Sequence, residues 1–337
     1  MKDQYHIYGL GNALVDFEIE VTTDELREHR LEKGVMILME QEEQGKLLEA
    51  FDGRFHSRAC GGSAANTIIG AQTLGSNCFY SCKVANDEAG HFYKEDLLTH
   101  GVGSNLTYEE FNDGTTGKCL VFITEDADRT MRTHLGVTAN INYHQVDESA
   151  LKKSDILYIE GYLASSPTAL ETAIKAGEFA KANGIKRALS LSDPLMVKFC
   201  REGFEQIIGD GIDILFCNYE EALGYTNTSS LYSAIDALQK LADTVVVTLG
   251  EDGAVLASGG EKIDVSGHAV HAIDTNGAGD LFAGGFLHAF VEGMGLEKSG
   301  QLANYASSLL VTQFGPRLTD ENIAKVKSFS EQLIEKG

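Results

Sequence analysis

Two rhythms of hydrophobic and polar residues run along this chain. Short apolar runs at residues 5–12, 79–84, 156–159, 188–191, 214–217 and 244–249 each predict a buried strand. Residues 16–21, Asp-Phe-Glu-Ile-Glu-Val, alternate polar with apolar and predict a half-exposed strand instead; residues 118–124 predict a further strand after a turn at 112–114. Helical spacing begins after the glycine turn at 61–62, where Ala64, Ala65, Ile68, Ile69 and Ala71 supply apolar faces. It returns at 166–183, after Asn218, and at 281–290, where Leu281, Phe282, Gly285, Phe286, Ala289 and Phe290 form one apolar stripe. Such a stripe predicts a buried helix.

From about residue 150 strand and helix alternate, which predicts an α/β fold with a mainly parallel sheet and helices on both faces. The half-polar strand regions near 15–40 and 110–135 do not suit that buried sheet and predict a small antiparallel flap, a β lid, within one domain over residues 1–337. The run at 244–249 turns back through Gly250-Glu251-Asp252-Gly253, with 254–256 as hairpin partner. Glycine turns at 61–62, 250–253 and 277–279 all follow strand-like runs, so they are expected at one edge of the sheet, where open α/β sheets bind ligands.

Composition narrows the function. The 337 residues are 43% hydrophobic, enough for a large core, and 27 basic against 50 acidic residues give a net charge of −23. A chain this acidic lacks the footprint of a nucleic-acid or anionic-membrane binder. No apolar run reaches the roughly 18 residues of a membrane span, and the N-terminus shows no secretory pattern. Of the cysteines at 60, 78, 82, 119, 200 and 217, only Cys78 and Cys82 lie close, with no second pair or histidine cluster to complete a zinc site. A reduced, cytoplasmic protein is expected.

Two glycine motifs fail on inspection. Gly9-Leu10-Gly11 begins like a dinucleotide fingerprint, but Leu14 stands at the third glycine and a strand follows instead of a helix. Gly114-Thr115-Thr116-Gly117-Lys118-Cys119 has too short a spacing for a phosphate loop, and Cys119 replaces the hydroxyl residue. Three others carry chemistry. In Asp274-Thr275-Asn276-Gly277-Ala278-Gly279-Asp280, small residues open a helix whose first N–H groups lack intrahelical partners, beside a carboxylate able to take a proton. The same run also suits a plain glycine turn with Asp280 serving the helix dipole. Gly61-Gly62-Ser63-Ala64-Ala65-Asn66 is either a capped turn or a place where a sugar lies against the backbone within reach of Asn66. Asn218 and Glu221, three apart on one helix face, suit a hydrated Mg²⁺, or equally a capping box.

Together with Gly9-Leu10-Gly11-Asn12, Asp16 and Val247-Thr248-Leu249-Gly250-Glu251-Asp252-Gly253, these motifs resemble the ribokinase/PfkB family of carbohydrate and nucleoside kinases, in family order over nearly the whole chain. The resemblance implies a Rossmann-like, ribokinase-like α/β sheet with a small β lid, and an ATP-dependent kinase using Mg²⁺. It implies that Asp280 is the catalytic base and that Gly277, Ala278 and Gly279 form an anion hole. Asn12, Asp16, Gly62, Ser63 and Asn66 would hold the acceptor. Asn218, Thr248, Gly250, Gly253 and Asn304 would serve the nucleotide, with Asn218 and Glu221 reaching Mg²⁺ through water. The family also carries a monovalent-cation site near Asp274, so K⁺ activation is expected without assigned ligands. Of the two arginines in the 126–132 segment, Arg129 is preferred over Arg132 for a transferring phosphate. Tyr162, Phe122 and Leu163 are expected either to flank a base or to be core. The start motif, the Gly-Gly-Ser turn and Asp128-Arg129-Thr130-Met131 look most like adenosine-kinase-type members. A hexose, pentose or keto-sugar acid is the alternative acceptor, and a non-catalytic sensor of nucleoside or sugar the alternative of another class. The expected partner is thus a small nucleoside or sugar, bound by a monomer or homodimer.

Overall fold

The computed structural model describes residues 4–106, 113–126 and 128–335, so residues 110–112 and Ala127 of the expected second lid segment lie outside it. Its strands in chain order are β1 (Tyr5–Leu10), β2 (Leu14–Glu20), β3 (Met36–Leu38), β4 (Phe55–Gly61), β5 (Cys78–Ser81), β6 (Gly117–Ile123), β7 (Arg129–His134), β8 (Ser154–Ile159), β9 (Lys186–Ser190), β10 (Ile212–Asn218), β11 (Ala242–Thr248), β12 (Gly253–Ser258) and β13 (Glu261–Ser266).

Eight of these form one sheet in the order β13-β12-β11-β10-β9-β8-β1-β5. All pairings from β11 to β5 are parallel, and β12 and β13 add an antiparallel edge. Apolar side chains therefore leave both faces of the sheet. Helices Pro167–Ala182, Arg201–Ile208 and Leu231–Leu238 cover one face, meeting Tyr8, Leu157 and Leu215. Helices Ser63–Leu74, Glu88–Thr99 and Ala278–Val291 cover the other, meeting Ile7, Ile156 and Ile214. Asn12, Glu160, Asp193, Asn218 and Thr248 all follow or end parallel strands, at the carboxyl edge where the switch to ligand chemistry is expected.

Helix Ala278–Val291 is apolar on every side because it lies between two others. Gly284 permits this: a Cβ there would stand 2.5 Å from the Thr67 carbonyl oxygen of the neighbouring helix, and Gly285 faces Ala303 on the other flank. Both glycines cost helix propensity, about 1 kcal/mol each, and the close backbone approach fixes the position of the helix start.

The second sheet has the order β3-β7-β6-β2-β4. It is mixed rather than simply antiparallel, since β2 pairs parallel with β6 and β3 with β7. β4 is the strand-like run expected before the glycine turn at 61–62, for which the sequence set no bounds. The half-exposed reading of β2 also needs correction: Asp16 and Glu18 are buried, and in register they stand beside Cys119 and Val121 of β6. The polar face of β2 meets a cleft between the sheets instead of open solvent. Its other face, with Ile19, packs with Leu120 and Phe122 under the helices Thr23–Glu28 and Gln41–Ala50.

Candidate active site

A cavity of about 390 Å³ lies between the carboxyl edge of the large sheet and the polar face of β2 and β6. It collects Asn12, Asp16, Gly62, Ser63, Asn66, Arg129, Tyr162, Asn218, Gly277, Ala278, Gly279 and Asp280 from six separate stretches of chain. Larger depressions, of about 610, 580 and 480 Å³, contain none of these residues. Chemistry, not volume, locates the site.

Asp280 sits in the first turn of helix Ala278–Val291, whose N-cap is Gly277 in a left-handed conformation. Its two oxygens are held apart: Ser63 Oγ donates to Oδ1 at 2.6 Å and Asn66 Nδ2 to Oδ2 at 2.8 Å. Burial of its surroundings raises the Asp280 pKa, while the bonds from Ser63 and Asn66 and the charges of Arg317 and Arg129 pull it back. The Ala278 N–H bonds the Thr275 carbonyl at 3.2 Å. Those of Gly279 and Asp280 find no acceptor among the described residues, and helix starts of this kind hold anions. Gly62, at φ 95°, must be glycine, because a Cβ would strike the Asn12 carbonyl; that contact sets the turn presenting Ser63 and Asn66.

Asp16 faces the same cavity and is 6% exposed, and among the described residues none donates a hydrogen bond to it. Burial, then the charge of Glu18, pushes its pKa up to about 8, against the pull of Arg317. Asn12 is held by Glu160, which accepts from its Nδ2 at 2.6 Å and from the Ala64 N–H at 2.9 Å. Glu160 is 1% exposed and lines the cavity; burial raises its pKa to about 7, opposed by those same bonds. Sequence reasoning missed it, although a charged residue directly after the buried run 156–159 was the available signal. It missed Arg317 as well: Nη1 donates to Asn66 Oδ1 at 2.5 Å and Nη2 to the Cys60 carbonyl.

The expected base slot changes composition. Only Tyr162 of its three residues borders the cavity; Phe122 and Leu163 are fully buried core. The apolar wall is made by Leu14, Met36, Leu38, Val121, Met131 and Leu135, with Met196 across from them. Arg129 reaches Asn276 Oδ1 at 3.0 Å and lies 3.9 Å from Asp274, bracing the glycine loop, while Arg132 is buried and donates only to backbone carbonyls. Both Asp274 oxygens accept backbone N–H groups, from Asn276 at 2.8 Å and Gly315 at 3.0 Å.

The nucleotide-side residues do not line this cavity, Asn218 excepted. Asn218 and Thr248 are register partners at adjacent strand ends. Asn218 and Glu221 cap one helix reciprocally, with Asn218 Nδ2 donating to Glu221 Oε1 at 2.8 Å and the Glu221 N–H to Asn218 Oδ1 at 2.8 Å. Burial, joined by the charges of Asp193, Glu220 and Asp280, raises the Glu221 pKa to about 7 against the pull of the Asn218 N–H. With its carboxylate already bonded, Glu221 suits contact with Mg²⁺ through water, in an excess of negative charge that a cation would relieve. Among the described residues no cluster of three or more histidine, cysteine or acidic side chains is grouped for direct metal ligation. Asn304 Nδ2 donates to the carbonyls of Val265 at 3.1 Å and Ser266 at 3.3 Å. Gly250 and Gly253 take positive φ in the β11–β12 turn.

The sequence profile described as pfkB family carbohydrate kinase matches residues 49–323. The chain is 28% identical to adenosine kinase of Saccharomyces cerevisiae over 94% of its own length and 98% of that protein. It is 27% identical to mouse ribokinase, covering 76% of this chain and 79% of the other. The crystal structure of adenosine kinase from Sinorhizobium meliloti superimposes with a TM-score of 0.89 at 32% identity, covering 98% and 99% of the two chains. Matched along most of its length and with the family's motifs gathered at one cleft, the chain belongs to the pfkB carbohydrate kinase family and is a phosphotransferase with an alcohol group as acceptor.

Proposed function

We propose that the chain transfers the γ-phosphoryl group of ATP to a hydroxyl of an adenosine-like nucleoside, with Asp280 as general base and Gly277–Gly279 as anion hole. The observation that carries this reading is the placement of Asp280: a carboxylate with raised proton affinity, at a helix start with free N–H groups, across one cavity from the unbonded carboxylate of Asp16.

Asp16 offers two oxygens to the two donors of a vicinal diol, and Asn12, Gly62, Ser63 and Asn66 surround it. The acceptor hydroxyl then faces Asp280. Its proton passes to the Asp280 carboxylate as its oxygen bonds to the γ-phosphorus, and the bond from phosphorus to the β-phosphate oxygen breaks to leave ADP. The N–H groups of the 277–279 loop receive the charge spread over the moving phosphoryl oxygens. Kinases of this family use ATP and Mg²⁺; bound Mg²⁺ neutralises phosphate charge, and Asn218 and Glu221 would reach it through water. The rate advantage comes mainly from positioning and charge neutralisation. The small sheet acts as the lid that keeps water from the γ-phosphate.

The apolar wall of Leu14, Val121, Met131 and Leu135 opposite Tyr162 favours a nucleoside over a bare sugar, which would leave that wall uncovered. The cytoplasm, where ATP is abundant, is the proposed setting. The test is ADP release across adenosine, inosine, guanosine, ribose, fructose and 2-keto-3-deoxygluconate, with Asp280→Asn beside the parent. We expect adenosine to be preferred and the variant to lose about 10²–10⁴-fold in kcat while keeping adenosine-induced thermal stabilisation. Undiminished turnover in the variant rejects Asp280 as base. Preference for ribose or a hexose assigns a sugar kinase, and stabilisation by adenosine with no ADP from any acceptor assigns a sensor.

A further inference from the structure

One cation enters this site from far along the chain. The segment Gly315-Pro316-Arg317 touches the catalytic loop twice: the Gly315 N–H donates to Asp274, and Pro316 packs on Gly277. Arg317 then reaches a residue that holds Asp280. Its guanidinium meets Asn66 Oδ1 and the Cys60 carbonyl, and its Nε is buried without an acceptor among the described residues. Nη1 also meets the Pro316 carbonyl at 3.3 Å, and a guanidinium held through both Nη groups while its Nε–H is forgone is kept for geometry and charge more than for its count of hydrogen bonds.

Asn66 makes the geometry consequential. Its Oδ1 accepts from Arg317 and its Nδ2 donates to Asp280 Oδ2 at 2.8 Å. Rotating the amide by half a turn would set two donors against each other at Arg317 and two oxygens against each other at Asp280. The fixed cation thus selects one of the two amide orientations. We propose that Arg317 is a positioning residue of the phosphoryl-transfer site, holding the Asn66 amide so that it donates to Asp280. The inference rests on the reading of Asp280 as base.

The charges around Asp280 add a measurable consequence. Asp16 on β2, Glu160 after β8 and Glu221 on helix Tyr219–Thr226 bring negative charge to it; Arg129 on β7 and Arg317 bring positive charge; Tyr158 and Tyr162 also feel it. Removing Arg317 leaves one guanidinium among four carboxylates. Asp280 then keeps its proton to higher pH, so less of it is ionised as base at any given pH.

The test is kcat/KM against pH with MgATP and adenosine for the parent, Arg317→Gln and Arg317→Lys, joined to a ¹³C NMR titration of the Asp280 carboxyl in the ligand-free proteins. For Arg317→Gln we expect kcat to fall about 10–100-fold and the acidic limb to move up by about one pH unit. Arg317→Lys returns the limb toward the parent without restoring full kcat, because an ammonium cannot reproduce the guanidinium fork. An acidic limb and carboxyl titration in Arg317→Gln that coincide with the parent overturn the inference, even if stability falls. Should Arg317→Gln not fold, an Arg317→Lys protein with the parent's kcat overturns it instead. Should the parent form no ADP with any acceptor, the kinase reading fails on its own, while the NMR titration still decides whether Arg317 acts on Asp280.

Discussion

The proposed acceptor end and the proposed nucleotide end of the cleft treat their polar groups in opposite ways. At the acceptor end Asp16 is buried without a hydrogen bond from the described residues, and burial holds it and Glu160 near neutrality in proton affinity. At the nucleotide end the polar groups are already spent: Asn218 and Glu221 on each other, Asn304 on the carbonyls of Val265 and Ser266. The cavity of about 390 Å³ lies at the first, and Asn218 borders it from the second. The difference teaches that one end stores unsatisfied bonding capacity for its ligand, whereas the other is a finished surface offering backbone, shape and residual field. A small acceptor must be gripped by every hydroxyl. A nucleotide brings its own charge and metal, and needs mainly a place to lie.

Asp16→Ala should break the comparison most visibly. Two charge-assisted bonds to the acceptor disappear, so its KM should rise by about 10²-fold or more, with KM for ATP little changed. Equal rises in both would show that the two ends are not separable. Asn304→Ala should act the other way round. It strips a donor from two strand-end carbonyls, and denaturant unfolding should show a loss of about 1–3 kcal/mol, with a smaller rise in KM for ATP than Asp16→Ala causes for the acceptor. An unchanged stability would free Asn304 for a direct nucleotide role.

The smallest effect is a pH trend in the ligand-free protein. Asp16 and Glu160 have folded pKa values of about 8 and about 7, against roughly 3.9 and 4.3 when unfolded. Raised carboxyl values mean the folded state binds protons more tightly. Their favourable contribution is complete below about pH 4 and is lost as pH rises through 7 to 8. Between pH 5 and 8 these groups should lower Tm by a few degrees, and Asp16→Asn should flatten the slope. Adenosine should offset the loss by supplying donors to the ionised Asp16. A slope identical in Asp16→Asn would remove Asp16 as its source.

Legibility followed how local each cause was. Continuous apolar runs such as 156–159 and 244–249 needed only their neighbours to read as strands, and the glycine turns at 62 and 277 declared themselves by composition. Period two along residues 118–123 separates Cys119 and Val121 from Leu120 and Phe122, but it cannot say which set faces a ligand; Phe122 therefore suits either a base slot or the core from sequence, and it packs as core under helices. The bounds of β4 were not legible because Arg58 interrupts its pattern and its partner β2 lies about forty residues earlier. In the structure Arg58 pairs with Glu88, reaching out of the sheet edge to a helix. Asn218 and Glu221 fitted both a cap and a metal approach, and the folded chain uses them as the cap. Glu160 and Arg317 carry no motif. Their importance comes from what folding places beside them.

The contact between Arg317 and Asn66 spans 251 positions of sequence. Synthesis at roughly 5–20 residues per second separates the two by roughly 10–50 s on the ribosome. By the time Asp280 and then the loop that braces it emerge, the turn at 61–66, the β2 carboxylate and every strand of the large sheet have already done so. A nascent chain of this protein thus presents the strands of its scaffold before the residues of its proposed chemistry, and the proposed base Asp280 is not braced until one of the last loops has arrived.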